Sequence, residues 1–161
     1  MIKIRLILIA LLAVISSHSF AADIKSELKE VILANQISVF ENNLNAFLAT
    51  ATPSINIVDE FPPFVWSGKD AAARYVKDFK DLITKFKLSE YKIDLKEPTF
   101  IEQDREVTYA VFPVTVTYKE GDVKAHTDNG YQTVVFKKSN SGKWLIENSI
   151  WTVSNLSLIH I

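Results

Sequence analysis

The chain has 161 residues, with 18 basic and 19 acidic side chains and a formal net charge of −1 at pH 7. A chain so close to neutrality, without a run of Lys or Arg, has no electrostatic basis for binding nucleic acid. It contains no cysteine and 3 histidines, which argues against a His- or Cys-based metal site. We therefore expect neither a metal ion nor another cofactor.

The N-terminus has the three parts of a secretory signal peptide. Lys3 and Arg5 precede an apolar run, and a small-x-small cleavage site ends at Ala21. The apolar run is shorter than the roughly 20 residues that a bilayer crossing needs, which favours cleavage over a retained membrane anchor. The sequence therefore predicts a signal peptide at 1–21 and one domain over 22–161. It also predicts an exported protein, periplasmic or secreted, without stable membrane insertion after cleavage.

Apolar residues recur at helical spacing from Ile24 to Val39 and predict a long first helix. Asn35 lies on the same stripe, where a lone amide is either a hydrogen-bonded core residue or part of a site. Asn42-Asn43 interrupts this pattern, and a second, short helix follows.

The middle of the chain changes structure several times. Pro53 is predicted to stop the second helix, since proline lacks the backbone donor. Residues 54–59 then alternate as a short strand that ends at Asp59, and residues 61–66 form an apolar, proline-rich segment that we call the lip. Residues 67–70 have the form of a capping box, and apolar residues at helical spacing from Ala71 to Phe86 predict the inward face of a third helix.

The second half of the chain has the period of two that is typical of strands. Segments 91–95, 107–118, 130–137 and 144–154 are joined by short connections, which favours antiparallel pairing. Helices followed by strands predict an α+β domain, with the N-terminal helices packed on one face of a curved, mostly antiparallel sheet. The strand 107–118 is apolar on both faces, so we expect a homodimer that covers the second face.

Three segments resemble the nuclear transport factor 2-like superfamily, which includes SnoaL-like cyclases and steroid delta-isomerases. Residues 39–47 are similar to its "W-N-x-G-D-L-D-x-F" junction, residues 67–71 to the "x-G-x-x-A" start of its third helix, and residues 133–146 to its closing hairpin. The resemblance implies a cystatin-like cone with a central pocket between the helices and the sheet.

The resemblance also suggests roles for individual residues. The steroid isomerase pattern, laid along this chain, puts its general base at Asp59. Its two oxyanion donors fall on Asn35 and Gln132, which are amides rather than the tyrosine and protonated acid of that family. The last strand has Ile150-Trp151 where simple members often carry a histidine. These departures argue against the isomerase reaction and against histidine-dependent chemistry.

Strand parity then selects the side chains that face the pocket. Phe64 and Trp66 of the lip are interpreted either as plugs of the core or as ligand clamps. The predicted lining is Asn35, Asp59, Phe64, Trp66, Phe112, Val114, Val116, Gln132, Val134, Glu147 and Trp151.

Asp59 and Glu147 are the candidate catalytic acids. An acid that faces an apolar cavity has its charged form disfavoured, which suits acid/base work. The alternatives are that Glu147 pairs with Arg74 or a lysine, and that Asp59 only caps the proline-rich turn.

Three functions remain open from the sequence. The first is an exported domain that binds a small apolar ligand or a partner, without a complete catalytic constellation. The second is a small isomerase, dehydratase or cyclase that uses Asp59 or Glu147 as acid or base. The third is a structural component of an exported assembly.

Overall fold

The computed structural model describes residues 24–122 and 125–154. The predicted signal peptide lies outside the described residues. Within those two ranges the chain forms three helices and seven strands. They are α1 (residues 24–40), α2 (Leu44–Leu48), β1 (Ala51–Val58), β2 (Val65–Trp66), α3 (Ala71–Phe86), β3 (Leu88–Leu95), β4 (Phe100–Asp104), β5 (Val107–Glu120), β6 (His126–Lys138) and β7 (Trp144–Val153).

The strands form one sheet in the order β2-β1-β7-β6-β5-β3, and β4 pairs with β5 beyond the end of β3. Only the β1–β7 pairing among the described strands is parallel. The sheet is therefore mostly antiparallel, and the predicted α+β class is confirmed.

The hydrophobic core lies between the helices and one face of this sheet. Leu28 and Ile32 of α1 and Tyr75 of α3 belong to the same buried cluster as Phe112 of β5 and Phe136 of β6. The other face carries exposed apolar side chains, as described below. No helix in the described ranges is long and apolar enough to cross a membrane.

The break between α1 and α2 falls at Asn42-Asn43, as the sequence predicts. Asn42 adopts the left-handed conformation, with φ 52°, which asparagine tolerates better than most residues. Asn43 then begins α2, and its side chain accepts a hydrogen bond from the Ala46 amide at 3.1 Å. This turn directs α2 toward β1.

Two local predictions were wrong. Pro53 does not end the second helix, because α2 stops at Leu48 and Pro53 lies within β1. The β1–β7 register shifts between Ala51 and Asn56, so the ladder is interrupted around a residue that has no amide hydrogen. The capping box is also absent: Asp70 has φ 60° and makes no side-chain capping bond.

Candidate functional site

A cavity of about 380 Å³ opens between α1, α3 and the helix-covered face of the sheet. Cavities that hold small organic ligands range from about 300 to 1,000 Å³. Its wall is mostly apolar and aromatic, with contributions from Phe40, Phe61, Phe79 and Trp151. The size and the lining fit a compact apolar molecule.

Six of the predicted lining residues are part of this wall. They are Asn35, Asp59, Val116, Gln132, Val134 and Trp151. Their role toward a ligand stays a prediction.

Phe112 and Val114 point to the predicted side of β5 but lie in the core beside the cavity. Both are almost fully buried, at 0% and 2% exposure. Strand parity therefore correctly predicted that these two side chains face the helices. The β5 residues that line the cavity are Val116 and Tyr118, nearer the C-terminal end of the strand.

The two lip residues have separate positions, and neither lines the cavity. Trp66 is buried in the core, where its indole nitrogen donates to Oδ2 of Asp78 at 2.8 Å. Phe64 is 49% exposed and has φ 69°, which turns it out of the lip. Phe61 faces the cavity in their place.

Glu147 lies outside the cavity, contrary to the parity prediction. The β6–β7 register shifts so that Ile146 is paired with Phe136 but Asn148 with Val135, which leaves Glu147 as the extra residue of a β-bulge. Because a bulge inserts one extra residue, the inward-facing positions of β7 change from even to odd residue numbers beyond it. Oε1 of Glu147 lies 3.6 Å from the Lys137 amine, the ion pair that the alternative interpretation expected.

Asp59 follows the last residue of β1 and is part of the cavity wall. Its Oδ2 accepts a hydrogen bond from the Tyr75 hydroxyl at 2.7 Å, and its Oδ1 accepts one from the Glu60 amide at 2.7 Å. Burial raises the pKa of Asp59 from 3.8 to about 6, while these two bonds oppose the shift. Asp59 thus caps its turn and also presents an acid to an apolar cavity.

Tyr75 is held in place by an aromatic cluster. Its ring centroid lies 5.0 Å from that of Trp66 and 6.0 Å from those of Phe61 and Phe79. Burial, with the neighbouring Asp59 charge, raises the pKa of Tyr75 well above its ordinary value. The hydroxyl therefore stays protonated and acts only as a donor to Asp59 at neutral pH.

A second acid, Glu60, was missed by the sequence. Glu60 is an exposed residue that borders the cavity beside Asp59, and partial burial of its carboxyl group raises its pKa to about 7, with further increases from the charges of Asp59 and Asp128. A hydrogen bond from Trp151 opposes the shift. Strand parity could have indicated Asp128, which shares its face of β6 with Gln132, whereas no local pattern predicts that Glu60 borders the cavity.

An amide relay crosses the sheet side of the cavity. Nε2 of Gln36 donates to Oε1 of Gln132 at 3.0 Å, and Nε2 of Gln132 donates to the Ser149 hydroxyl at 2.7 Å. Asn35, by contrast, donates to the Thr50 hydroxyl at 2.8 Å and is a hydrogen-bonded core amide. Gln132 therefore does not act alone, and Gln36 is the α1 residue that contacts it.

No protein-family model matches the sequence, and no curated protein matches it. Solved structures do match the fold. An NTF2-like superfamily protein from Salmonella enterica has 15% identity, covers 87% of this chain and 97% of its own, and has a TM-score of 0.66. This chain has the nuclear transport factor 2-like fold.

Two further structures with this fold have names that refer to enzymes. A scytalone dehydratase-like protein from Novosphingobium aromaticivorans has 12% identity, covers 86% of this chain and 89% of its own, and has a TM-score of 0.68. A ketosteroid isomerase-like protein from Erwinia carotovora atroseptica has 12% identity, covers 81% and 96%, and has a TM-score of 0.61. At such identities the likeness establishes the fold alone, and chemistry must be argued from the cavity.

Proposed function

We propose that the protein is a small acid/base enzyme that moves a proton on an apolar carbonyl compound, with Asp59 as the base. The observation that carries this proposal is a carboxyl group with a pKa of about 6 that opens onto an apolar cavity and is held by a tyrosine hydroxyl. A base with a pKa near the working pH combines the correct protonation state with useful basicity.

The geometry leaves the carboxylate able to react. Each oxygen of Asp59 accepts one hydrogen bond, from Tyr75 or from the Glu60 amide, and each keeps a second lone pair. The carboxylate can take a proton from the carbon next to a carbonyl group and return it to the same or a neighbouring carbon. Such a step is shared by isomerases, dehydratases and cyclases, and two of the structures with this fold have names of this kind.

Deuterium exchange tests this proposal without a known substrate. The probe is α-tetralone in heavy water, whose hydrogens next to the carbonyl exchange when a base removes them, and NMR follows their loss. Replacement of Asp59 by Asn is expected to lower the catalysed rate by about 100-fold or more, the usual contribution of a positioned base. Glu147→Gln is the matched control, since Glu147 lies outside the cavity.

A ligand-binding domain without catalysis is the competing function. It predicts that α-tetralone binds but exchanges at the same rate with the wild type, with Asp59→Asn and with no protein. That result would contradict the enzyme proposal, and binding would become the favoured function.

We further propose a homodimer through the uncovered face of the sheet, the feature that favours a role in an assembly. Five apolar side chains of this face are well exposed: Phe100 at 48%, Val107 at 40%, Tyr109 at 43%, Tyr131 at 42% and Ile150 at 38%. Light scattering after size-exclusion chromatography should give a dimer for the wild type and a monomer for Tyr131→Glu. A monomeric wild type would contradict the dimer.

We also propose that the protein is exported, on the strength of residues 1–21 alone. Mass spectrometry of the protein isolated from the cell envelope or the medium should show a new N-terminus after Ala21. An intact N-terminus on cytoplasmic protein would contradict export.

A further inference from the structure

The charged residues that line the cavity are mostly acidic. Within residues 24–122 and 125–154 the lining acids are Asp59, Glu60, Glu120 and Asp128, and the lining base is Lys85. The whole chain is nearly balanced, with 19 acidic and 18 basic side chains. The excess of negative charge is therefore a local property of the cavity wall.

Hydrogen bonds and charge interactions place most of these acids in one part of the wall. The Glu60 carboxylate interacts with the charges of Asp59 and Asp128, and it accepts a hydrogen bond from Trp151. Tyr118 donates a hydrogen bond to Asp128 and also interacts with the charge of Glu60. Because charge interactions weaken with distance, these groups share one region of the cavity.

Lys85 belongs to a different part of the wall. Tyr75, near the start of α3, donates to Asp59, whereas Lys85 lies in the last turn of that helix, roughly 15 Å further along its axis. The Lys85 amine lies over the ring of Phe86, 4.9 Å from its centroid. It therefore does not neutralise the acids around Glu60.

Glu60 is the acid of this region that a ligand can reach most easily. It is exposed, whereas Asp59 is half-buried and Asp128 is buried. Across the part of the chain that the structure describes, neither Asp59 nor Glu60 forms an ion pair with a basic side chain. An accessible carboxylate among like charges is stabilised by a cation more than by any neutral group.

The aromatic rings beside these acids suit a cation as well. Tyr75 is bonded to Asp59, Trp151 is bonded to Glu60, and the ring centroid of Phe61 lies 6.0 Å from that of Tyr75. Ring faces attract ammonium groups, and more strongly where water is excluded. An anion would be repelled from this region by the carboxylates.

We propose that the cavity binds a compact apolar amine, whose ammonium group lies against the Glu60 carboxylate while its apolar body contacts the aromatic wall. This inference rests on the proposed function for the carbonyl group of the substrate, and it adds the amine. The substrate class is then an amino-carbonyl compound. Asp59, held by Tyr75, remains the base beside the bound ammonium group.

Three probes that share one bicyclic body test the proposal: 2-aminotetralin, 2-methyltetralin and tetralin-2-carboxylate. At pH 8 the amine is protonated, as a lysine side chain is, and Glu60 is mostly ionised. Ligand-observed NMR measures the dissociation constants for the wild type, Glu60→Gln and Glu147→Gln. In the wild type the amine should bind about tenfold more tightly than the methyl compound, and the carboxylate most weakly.

The variants assign the preference to Glu60. Glu60→Gln keeps an acceptor for Trp151 and removes the charge, so it should weaken the amine at least about threefold and leave the methyl compound unchanged. Glu147→Gln removes the same charge outside the cavity and should change none of the three affinities.

Several results would overturn the proposal. They are equal affinities for the amine and the methyl compound, tightest binding of the carboxylate, and no detectable binding of any probe. A smaller loss than about threefold in Glu60→Gln, or the same loss in Glu147→Gln, would also overturn it.

The exchange assay distinguishes this inference from the proposed function. If the wild type prefers the amine as predicted but shows no exchange of α-tetralone above that of Asp59→Asn, the catalytic proposal fails and the amine site stands. If exchange depends on Asp59 while the amine binds no more tightly than the methyl compound, the amine site fails and the catalytic proposal stands.

Discussion

The hydroxyl of Tyr75 donates to Oδ2 of Asp59 across 2.7 Å, joining α3 to the end of β1. Burial disfavours the charged form of both side chains, which raises both pKa values. Asp59 still ionises near pH 6, whereas Tyr75 remains neutral far above that pH. At neutral pH one partner is therefore a fixed acceptor and the other a fixed donor, so the base has a defined orientation.

Replacement of Tyr75 by Phe should raise the pKa of Asp59 above about 6, because the Tyr75 hydrogen bond stabilises the carboxylate. The lower inflection in the pH dependence of kcat/KM for exchange should move upward with it. Tyr109→Phe serves as the control, since Tyr109 is exposed on the opposite face of the sheet. An inflection that stays at the wild-type pH would show that Asp59 is not the group that titrates.

Asp59 should make the protein less stable as the pH rises. Above pH 3.8 the unfolded chain ionises this group, while the folded protein keeps it protonated until about pH 6. The unfolded state then binds fewer protons, so the free energy of unfolding falls through this window. At roughly 1.4 kcal/mol per pKa unit, the full cost above about pH 6 is at most about 3 kcal/mol.

Asp59→Asn should remove that cost. Its free energy of unfolding, from urea denaturation, should exceed that of the wild type at about pH 8 and approach it at about pH 3, where Asp59 is protonated in most folded and most unfolded molecules. Glu147→Gln, which changes an acid outside the cavity, is the control variant. A difference between Asp59→Asn and the wild type that is constant with pH would mean that burial does not raise the pKa of Asp59.

Glu60 should respond to the same substitution. Its pKa of about 7 reflects burial first and then the charges of Asp59 and Asp128. Asp59→Asn removes one of these charges, so the pKa of Glu60 should fall below about 7 but stay above its ordinary value of 4.5. Carbon-detected NMR titration of the side-chain carboxyl groups measures it directly. An unchanged value would mean that the charge of Asp59 does not contribute to the raised pKa of Glu60.

The features that follow regular periodicity were predictable from the sequence. Apolar spacing predicted the inward face of α3, which forms over Ala71–Phe86, and strand parity predicted the inward face of β5. Burial of one face of a helix or strand places apolar residues at a fixed spacing in the sequence, so both features can be predicted from that spacing.

Irregular geometry was not predictable in the same way. The bulge at Glu147 changes which side chains of β7 point inward, yet no residue there is a glycine or a proline that would mark it. The strand β4 was missed because it is short and largely exposed, so its apolar residues show no clear alternation. Glu60 and Tyr91 contribute to the cavity through tertiary packing of the lip and of β3, and only the folded arrangement reveals them.

Gly130 lies where β6 passes close to Trp151, a residue of the cavity wall. A substitution at Gly130 should therefore change both the stability of the protein and the shape of the cavity. A Cβ atom at this position would lie 2.4 Å from the carbonyl oxygen of Thr152 and 2.8 Å from the Trp151 ring. Neither strand can move freely, because Gly130 is paired with Val153 in the ladder. Gly130→Ala should therefore cost about 1–3 kcal/mol, the usual penalty for overpacking.

The displaced Trp151 should also alter the cavity, so Gly130→Ala should weaken binding of α-tetralone in a ligand-observed NMR titration. Thr127→Ala, on the exposed side of the same strand, should change neither property. Urea denaturation and the NMR titration measure the two effects separately. If Gly130→Ala unfolded at the wild-type urea concentration, β6 and β7 would have to be further apart than the ladder indicates. If it were destabilised yet bound the probe normally, Trp151 would not form part of the binding wall.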